Sequence, residues 1–432
     1  MKSDKNDILD WLYSLHRFGI KPGLERVIKI LNYLGNPEKR IQTIHIAGTN
    51  GKGTTASNIA SIFSTAGYKT GLYTSPHLLD FNERIQINGH LIPDDYLFDI
   101  LNSLKPLQVS TNATFFELTT AIAFKYFADK EVDLAIIEAG MGGKNDATNV
   151  VNPLLSVITS IGLEHQKYLG NTIEEIATDK AGIIKPKTKV LVSDLNQDLT
   201  KLFEGIADDN VAHLYFLDDI ARINDLKINN YNSMIDFTTI SKNYTVSSPL
   251  MGKHQAWNIV CAVTACKLLK DYYKINESHI QEGISNIYSN FSFSGRFQIL
   301  NHHPLTIIDV AHNNDSFEKL TELINELGLS NKLNLCFAIM QDKDIPKVVN
   351  IVEQSFKKII ITKPKIERAA EPEVVFNYFK QKDKVKIIQD TNKCVDYLIG
   401  ENESAIFAGS FYLIGEVMEA YHNKTQKSDI LA

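Results

Sequence analysis

Short runs rich in Ile, Val and Leu alternate with longer segments of helical periodicity along most of the chain. The first unit is a predicted strand over residues 42–47, a glycine-rich loop, and a helix that begins near Lys52 and ends before Gly67. Such alternation is typical of parallel α/β sheets, whose buried strands read as nearly continuous apolar runs. Further strands of this first series are predicted at residues 70–73, 132–138, 155–159 and 189–193.

Residues 223–247 follow a different pattern, in which polar and apolar residues alternate and strong helix formers are few. Alternation with a period of two predicts antiparallel strands. We expect these strands to form an insertion at the edge of the first sheet.

A second α/β series follows a break in the helical pattern near residues 292–295. Its strands are predicted at residues 305–309, 333–339, 358–362, 384–388 and 405–408. A series of this length makes a complete small Rossmann-like domain. The pattern therefore predicts two α/β domains, over residues 1–295 and 296–432, with a cleft between them.

The composition excludes several classes of protein. The 432 residues are 44% hydrophobic and 22% charged, which is ordinary for a globular chain and excludes disordered, collagen-like and low-complexity proteins. A net charge of −6 argues against a basic nucleic-acid binder. No apolar run approaches the roughly 18 residues that would suggest a membrane span, so neither nucleic acid nor membrane is expected as a partner.

The same sequence favours a cytoplasmic location. Lys2, Asp4 and Lys5 stand where a secretory signal would need an apolar stretch. The four cysteines form no CxxC pair and show no metal-binding spacing; they are Cys261, Cys266, Cys336 and Cys394. We therefore expect buried thiols in a reducing compartment, and a monomer is the default oligomeric state.

The strongest chemical signal is the segment GTNGKGT at residues 48–54, between the first strand and the first helix. Glycines let the backbone approach phosphates, the helix N-terminus offers free N–H groups, and Lys52 supplies a positive charge. The spacing departs from the usual P-loop, because the earlier glycine is missing and Gly53 intervenes before Thr54. A tight turn is the structural alternative. We predict a phosphate-binding loop, and with it a P-loop-type ATPase domain built on the first sheet.

Donor groups suited to Mg²⁺ follow three predicted strands of the first sheet. Ser75 lies just beyond one strand, and Glu138 ends another, as the Walker-B carboxylate of P-loop enzymes does. His165 follows a third strand. A lone histidine is more often a loop residue than a ligand, but ligands gather at the carboxyl ends of parallel strands.

Lys180 has a sufficient structural explanation in the sequence. Thr172 and Glu175 form a capping box that begins its helix. The residues alone therefore favour a solvated lysine on a surface helix.

A second capping box, Thr114 with Glu117, likewise explains Glu117 without any functional role. Phe115 and Phe116 lie between them. Burial in the core is the commoner fate of such aromatic residues, and contact with a flat aromatic ligand is the alternative.

Polar clusters also follow the strands of the second series. Arg296 lies at the expected hinge, where it is either solvated or placed to reach a nucleotide. Asp309 and His312 follow the first strand and either cap a helix or contact a ligand. Residues 340–344 and 409–410 follow two further strands. Three clusters at corresponding strand ends favour one site that faces the cleft.

Together these motifs resemble the folylpolyglutamate synthase/dihydrofolate synthase family, a branch of the Mur ligase superfamily. The resemblance runs from residues 23–27 to residues 409–415 and so covers nearly the whole chain. Its most specific part is residues 48–54, where Gly53 matches this branch rather than the other Mur ligases. Further matching runs are TSPH at 74–77, DATN at 146–149, GKHQAWN at 252–258, GRF at 295–297 and DVAHN at 309–313.

The resemblance implies an ATP-dependent ligase that adds L-glutamate to a folate-type carboxylate through an acyl phosphate. Its small-molecule partners would be ATP, L-glutamate and either dihydropteroate or a reduced folate. Mg²⁺, in two sites, would be the metal. In this family the lysine at the position of Lys180 is carbamylated, so that it becomes a metal-binding anion rather than a surface cation.

The resemblance also implies residue roles. Contacts to ATP would come from Asn50, Gly51, Lys52, Gly53, Thr54, Asn258, Arg296 and Asp309. The folate-type substrate would contact Gly23, Thr114, Phe115, Phe116, Glu117, Asn145, Asp146 and Ala147. The metal ligands would be Ser75, Glu138, His165 and Lys180, and the catalytic residues Lys52, Lys180 and His312.

Four positions depart from the commoner family pattern. They are Lys144 in place of arginine, Glu164 in place of aspartate, and Ser294 and Asn314 in place of proline. These changes are chemically mild and bear on substrate preference rather than on the reaction.

Two alternative functions remain. A Mur-type ligase for a UDP-linked substrate would use the same chemistry, but Gly53, residues 114–117 and the short segment ahead of the glycine loop argue against it. A non-catalytic ATP-binding module is the other. Such a module would not need all of the retained residues Glu138, His165, Lys180 and Asp309.

Overall fold

The computed structural model describes residues 2–15, 19, 21–229 and 231–430. The strands are β1 (Thr43–Ala47), β2 (Thr70–Tyr73), β3 (Ile85–Ile87), β4 (His90–Leu91), β5 (Leu134–Glu138), β6 (Leu155–Ile158), β7 (Lys189–Val192), β8 (His213–Phe216), β9 (Ala221–Asn229), β10 (Asn232–Thr239), β11 (Lys242–Ser248), β12 (Gln298–His302), β13 (Leu305–Asp309), β14 (Asn334–Phe337), β15 (Ile359–Ile361), β16 (Val385–Ile387) and β17 (Ala405–Ala408).

The α-helices are α1 (Lys2–Ser14), α2 (Glu25–Tyr33), α3 (Lys52–Thr65), α4 (Asp94–Thr111), α5 (Phe115–Asp129), α6 (Gln166–Leu169), α7 (Ile173–Ala181), α8 (Thr200–Asp209), α9 (Leu217–Ile220), α10 (Lys253–Leu268), α11 (Glu277–Ser285), α12 (Ile287–Asn290), α13 (Asn314–Glu326), α14 (Ile345–Val352), α15 (Pro372–Phe376), α16 (Thr391–Gly400) and α17 (Phe411–Ile430). Short 3-10 helices cover Pro37–Arg40, Phe81–Arg84, Ala147–Val150, Gln197–Leu199 and Lys382–Lys384. Within the described residues, no helix is both long enough and apolar enough to cross a bilayer.

The first sheet has the strand order β4-β3-β2-β5-β1-β6-β7-β8 and is parallel from β2 to β8. Strand β1 lies in its middle and is buried along its whole length. Ile44 and Ile46 face the core beneath α3 and α10, whereas Ala47 packs on the other face against α7. The predicted strands of this sheet are confirmed to within one or two residues.

The antiparallel strands predicted within residues 223–247 are present, but their expected place at the edge of the first sheet is wrong. Strands β9, β10 and β11 form a separate three-stranded sheet. Ile235, Phe237 and Val246 on its apolar face join the core beneath α10 and α11. The sheet thus covers helices of the first domain, and β8 forms that edge of the first sheet instead.

The second sheet has the strand order β12-β13-β17-β14-β15-β16, and all of its strands except β12 run parallel. Its five parallel strands are those predicted from the sequence. The two-domain α/β prediction is therefore confirmed. The hydrophobic core also changes along the linker, since Phe291 packs in the core of the first domain and Phe297 in that of the second. The boundary between residues 295 and 296 stays a prediction.

Candidate active site

The glycine-rich loop joins β1 to α3 at the carboxyl end of the first sheet. Gly48 and Gly51 have φ angles of 150° and 87°, which side chains other than glycine rarely adopt. A Cβ atom on Gly51 would also overlap the Asn258 side chain. The loop therefore needs glycine at both positions, and it presents the N-terminus of α3, with its free N–H groups, at the sheet edge.

Two lysines converge on the carbonyl oxygen of Gly48 in this loop. Lys52 Nζ donates to the oxygens of Gly48 and Thr49, at 3.0 Å each. Lys180 Nζ donates to the Gly48 oxygen at 2.6 Å. Lys180 is only 2% exposed, so the prediction of a surface lysine is wrong: the last turn of α7 packs beneath the loop. Burial, and then the charge of Lys52, lower the pKa of Lys180 to about 7.

Glu138 ends β5, the parallel neighbour of β1, and its carboxylate is buried. Its Oε2 atom accepts the N–H of Ser75 at 3.0 Å. Burial raises the pKa of Glu138, and Lys52 and Arg296 partly oppose that shift. Ser75, Glu138, Gly53 and Arg296 line one small cavity beside the loop.

Glu164 connects the two domains. Its Oε1 atom lies 3.3 Å from Lys343 Nζ and 3.3 Å from His312 Nε2, both of which belong to the second domain. The His312 charge and hydrogen bond, together with Lys343, hold the pKa of Glu164 well below its usual range, against the effect of burial. His165 follows at once, and burial lowers its pKa to about 4.

A second contact between the domains involves the loop itself. Asn50 Nδ2 donates to Asp315 Oδ2 at 2.6 Å, and Asn313 Nδ2 donates to Asn50 Oδ1 at 3.3 Å. The Asn50 side chain, for which the resemblance implied a contact to ATP, is therefore engaged by the start of α13.

A cavity of about 490 Å³ opens between the domains on one side of the loop. It is lined by seven of the predicted residues, namely Asn50, Gly51, Thr54, Asn258, Arg296, Asp309 and His312. Arg296 lies over the Phe411 ring, 5.3 Å from its centroid. The Asp309 carboxylate accepts hydrogen bonds from the N–H groups of Phe297 and Ala311, at 2.8 and 2.7 Å. It thus holds the linker against the end of β13. Lys52 and Gly53 do not line this cavity.

A second cavity, of about 540 Å³, lies at the same carboxyl edge of the sheet, beyond the ends of β2 and β5. It is lined by all eight residues predicted to contact a folate-type substrate, Gly23, Thr114, Phe115, Phe116, Glu117, Asn145, Asp146 and Ala147. Ser75, His165 and His312 line it too, and His312 is common to both large cavities. The two cavities therefore meet at His312, and the small cavity lined by Glu138 shares Arg296 with the first and Ser75 with the second.

The capping-box explanation of Glu117 is confirmed. Glu117 Oε2 accepts the N–H and the hydroxyl of Thr114, at 2.7 and 2.9 Å. Glu117 Oε1 accepts from Arg26 Nε at 2.8 Å. Both oxygens of this buried carboxylate are thus engaged within the protein.

The two phenylalanines at the start of α5 have different surroundings. Phe115 is buried in the core, whereas Phe116 is only partly buried and packs against Gly140 at the second cavity. The expectation of core burial therefore holds for Phe115 alone, and Phe116 presents an aromatic ring to the cavity.

The sequence reasoning missed Arg84, a buried residue that lines the second cavity. Its guanidinium lies over the Phe115 ring, 5.2 Å from the centroid, and its Nε donates to His77 Nδ1 at 2.7 Å. The signal that could have found it is a lone arginine directly before the apolar strand β3.

Comparisons with known proteins agree with this geometry. A family model described as the Mur ligase middle domain matches residues 46–266, and one described as the Mur ligase, glutamate ligase domain matches residues 295–411. These matches define the class as Mur ligases. The chain is 34% identical to the dihydrofolate synthase/folylpolyglutamate synthase of Bacillus subtilis, over 95% of this chain and 97% of that protein. The corresponding Escherichia coli protein is 31% identical over 78% of this chain and 76% of that protein.

Solved structures give the same result. The Mycobacterium tuberculosis folylpolyglutamate synthase complexed with ADP is similar with a TM-score of 0.88 and 26% identity, over 96% of this chain and 98% of that chain. The E. coli FolC structure in complex with DHPP and ADP has a TM-score of 0.84 and 27% identity, over 97% and 98%. The chain belongs to the folylpolyglutamate synthase/dihydrofolate synthase family of Mur ligases.

Proposed function

We propose that this protein is an ATP-dependent ligase that adds L-glutamate to a folate-type carboxylate through an acyl phosphate. One observation carries the proposal: the two large cavities share His312 as a lining residue, so they meet at its side chain. A nucleotide in the first cavity and a carboxylic acid in the second would bring a γ-phosphate and a carboxylate together there.

The first cavity suits the nucleotide. The N-terminus of α3 borders it and supplies N–H donors for phosphates, and Lys52, which lies in the same loop but outside the cavity lining, supplies a positive charge. Arg296 and Asn258 lie at the same cavity. Since the net charge of the protein is −6, these local cations, and not the overall field, must attract an anionic nucleotide.

Glu138 and Ser75 fit a Mg²⁺ ion. Mg²⁺ is usually bound by one or two carboxylates together with substrate phosphates and water. Glu138 offers a buried carboxylate that, among the described residues, receives one hydrogen bond, from the N–H of Ser75. Among the described residues, no group of three or more His, Cys, Asp or Glu side chains is arranged to hold a metal. This agrees with a site completed by the nucleotide, whose developing charge the metal would neutralise.

A second Mg²⁺ at His165 requires a change at Lys180, because an ammonium group cannot bind a cation. Carbamylation would make Lys180 an anion, and it needs an amine that is neutral part of the time. The lowered pKa of Lys180, about 7, supports that requirement. We therefore propose a carbamylated Lys180 as the partner of His165.

The second cavity suits a folate-type acid. Phe116 presents an aromatic face, and Asp146 presents a carboxylate that can accept an N–H from a heteroaromatic ring. In the reaction the substrate carboxylate attacks the γ-phosphate and ADP leaves. The amine of glutamate then attacks the acyl phosphate and expels phosphate.

The residues of this chain act mainly by positioning and by excluding water. Holding the amine against the acyl carbonyl contributes on the order of 7–11 kcal/mol. Acyl phosphates hydrolyse, so closure of the cleft protects them. The contacts of Glu164 with Lys343, and of Asn50 with Asp315, close the cleft from two places. His312 lies where both substrates meet, and we propose that it is catalytic.

Phosphate release tests the proposal. With ATP and glutamate fixed, dihydropteroate or tetrahydrofolate should stimulate release, and a UDP-muramoyl peptide should not. The same assay decides between dihydropteroate, reduced folates or both. Activity only with the UDP-linked peptide would favour the other Mur-type ligases, and no activity with any acid would favour an ATP-binding module. We further propose a cytoplasmic monomer; the four buried free thiols support a reducing compartment.

A further inference from the structure

A chain of buried polar side chains connects the centre of the first sheet to the second cavity. His45 in β1 is fully buried and pairs with Ile137 and Ser156 of the neighbouring strands. His45 Nε2 lies 2.8 Å from Thr148 Oγ1, and Thr148 Oγ1 lies 2.5 Å from Asp146 Oδ1. Asp146 lines the cavity, whereas His45 lies behind it.

The direction of these hydrogen bonds follows from the donors available. Asp146 Oδ2 accepts the N–H of Met141 at 2.8 Å, and Oδ1 accepts the N–H of Thr148 at 3.0 Å. Burial raises the pKa of Asp146, and the Thr148 hydroxyl and the N–H groups of Met141 and Thr148 oppose that shift. The two backbone donors, one on each oxygen, match the ionised carboxylate, which can only accept. The single hydroxyl hydrogen of Thr148 therefore goes to Asp146. The Thr148 oxygen must then accept from the Nε2–H of His45.

The second ring nitrogen of His45 agrees with this tautomer. Nδ1 is buried and has no hydrogen-bond partner among the described residues. A neutral imidazole that donates from Nε2 leaves only a lone pair at Nδ1, whereas the other tautomer would leave a buried N–H unpaired, which is the rarer defect. Burial, and then the charge of Lys185, lower the pKa of His45 to about 3, so the ring is neutral at physiological pH.

We propose that His45 is a positioning residue for the acid substrate: through the Thr148 hydroxyl it fixes the orientation of the Asp146 carboxylate. Oδ1 then receives two donors from Thr148, and Oδ2, which receives the N–H of Met141, keeps the capacity to accept a ring or amino N–H of a ligand. The inference rests on the proposed function, in which Asp146 contacts a folate-type substrate.

Steady-state kinetics of three variants test the inference. His45→Leu removes the donor, Thr148→Val removes the hydroxyl without touching the sheet, and His45→Gln restores an N–H donor. Loss of one hydrogen bond predicts a KM for the folate-type acid raised about 3- to 10-fold in the first two variants. The KM for ATP should stay within twofold, and His45→Gln should restore the KM for the acid. The double variant of His45→Leu and Thr148→Val should raise the KM for the acid no further than either single variant, because both substitutions break the same series of hydrogen bonds.

Thr43→Val is the matched control. Thr43 is buried two residues before His45 on the same face of β1, and its hydroxyl has no hydrogen-bond partner among the described residues. The variant Thr43→Val should leave the KM for each substrate unchanged.

Three results would overturn the inference: an unchanged KM for the acid in Thr148→Val, equal increases in the KM values for the acid and for ATP, or no rescue by His45→Gln. An unaltered protein that releases no phosphate with any folate-type acid would instead remove the proposed function, and the inference with it.

Discussion

The variant Lys343→Met tests whether a buried charge pair holds the two domains together. Lys343 Nζ, in the loop after β14, lies 3.3 Å from Glu164 Oε1 of the first domain. The two side chains are only 11% and 9% exposed, so water screens their charges weakly. At that distance, with an effective dielectric constant of about 20, Coulomb's law gives an attraction of about 5 kcal/mol, which desolvation partly offsets.

Removing one partner of a buried pair costs about 3–5 kcal/mol, because the other charge stays buried and unpaired. His312 also lies 3.3 Å from Glu164 Oε1, so we expect the lower end of that range, about 3 kcal/mol. Opening the cleft lets water reach Glu164. The substitution therefore destabilises the closed arrangement of the domains relative to the open one. The expected shift of the closure equilibrium towards the open arrangement is about two orders of magnitude.

Small-angle X-ray scattering and turnover measure this effect. Lys343→Met should have a larger radius of gyration and a kcat at least tenfold lower. Lys347→Met is the control, because its pair with Asp344 is 71% and 43% exposed and 3.7 Å long, and such pairs contribute little. An unchanged radius of gyration in Lys343→Met, with a kcat within twofold of the unaltered protein, would show that this pair does not hold the domains together.

Three further variants test other parts of the site. Lys52→Ala should fold, with an unchanged circular dichroism spectrum, yet lose nearly all phosphate release; near-normal release would contradict the phosphate-binding assignment of the loop. Phe116→Ala should raise the KM for the folate-type acid about 2- to 10-fold, as expected for a lost aromatic contact, and an unchanged value would place the ring outside the substrate's reach. The variant His45→Gln should make the free energy of unfolding depend less on pH in the acid range. In the unfolded chain His45 binds a proton below pH 6.5, whereas in the native protein it stays neutral down to about pH 3. The free energy of unfolding therefore falls by up to about 1.4 kcal/mol for each pH unit between those two values. Urea unfolding at pH 7 and pH 5 measures this difference, and equal pH dependence in both proteins would contradict a neutral, buried His45.

The parts of the fold that the sequence predicted are those in which one strand or helix carries its own signal. Strand β13 and strand β17 have the predicted bounds, because each is an apolar run that ends at a polar residue or a glycine. The short antiparallel strands β3 and β4 gave no such signal. Their places depend on pairing with β2 and with each other, which no local pattern encodes.

In the candidate site, too, the residues with a local sequence signal were predicted and those that depend on long-range contacts were not. The glycine loop and Glu138 were found because a motif places them at the carboxyl ends of neighbouring strands. Lys180 was expected on a surface, because a capping box says where a helix begins but not which face is buried. The pairing of Glu164 with Lys343 joins residues that are 179 positions apart in the chain. Only the docking of one domain on the other brings them together.

His45 was missed although its signal was visible. A histidine inside the buried strand β1 has to find a hydrogen-bond partner, because an unpaired polar group in a core is costly. The partner, Thr148, lies in a 3-10 helix 103 residues away. The sequence therefore indicates that His45 needs a hydrogen-bond partner, but it does not indicate that this partner is Thr148.

In the proposed reaction, one site activates a folate-type carboxylate with ATP and passes it to glutamate. Phosphate release by the purified protein with ATP and Mg²⁺ tests this most directly, with the acid and glutamate added singly and together. We expect phosphate release only when both the acid and glutamate are present, together with a product one glutamyl residue heavier than the acid. Release that does not depend on glutamate, or that needs a UDP-linked peptide instead of the folate-type acid, would contradict it.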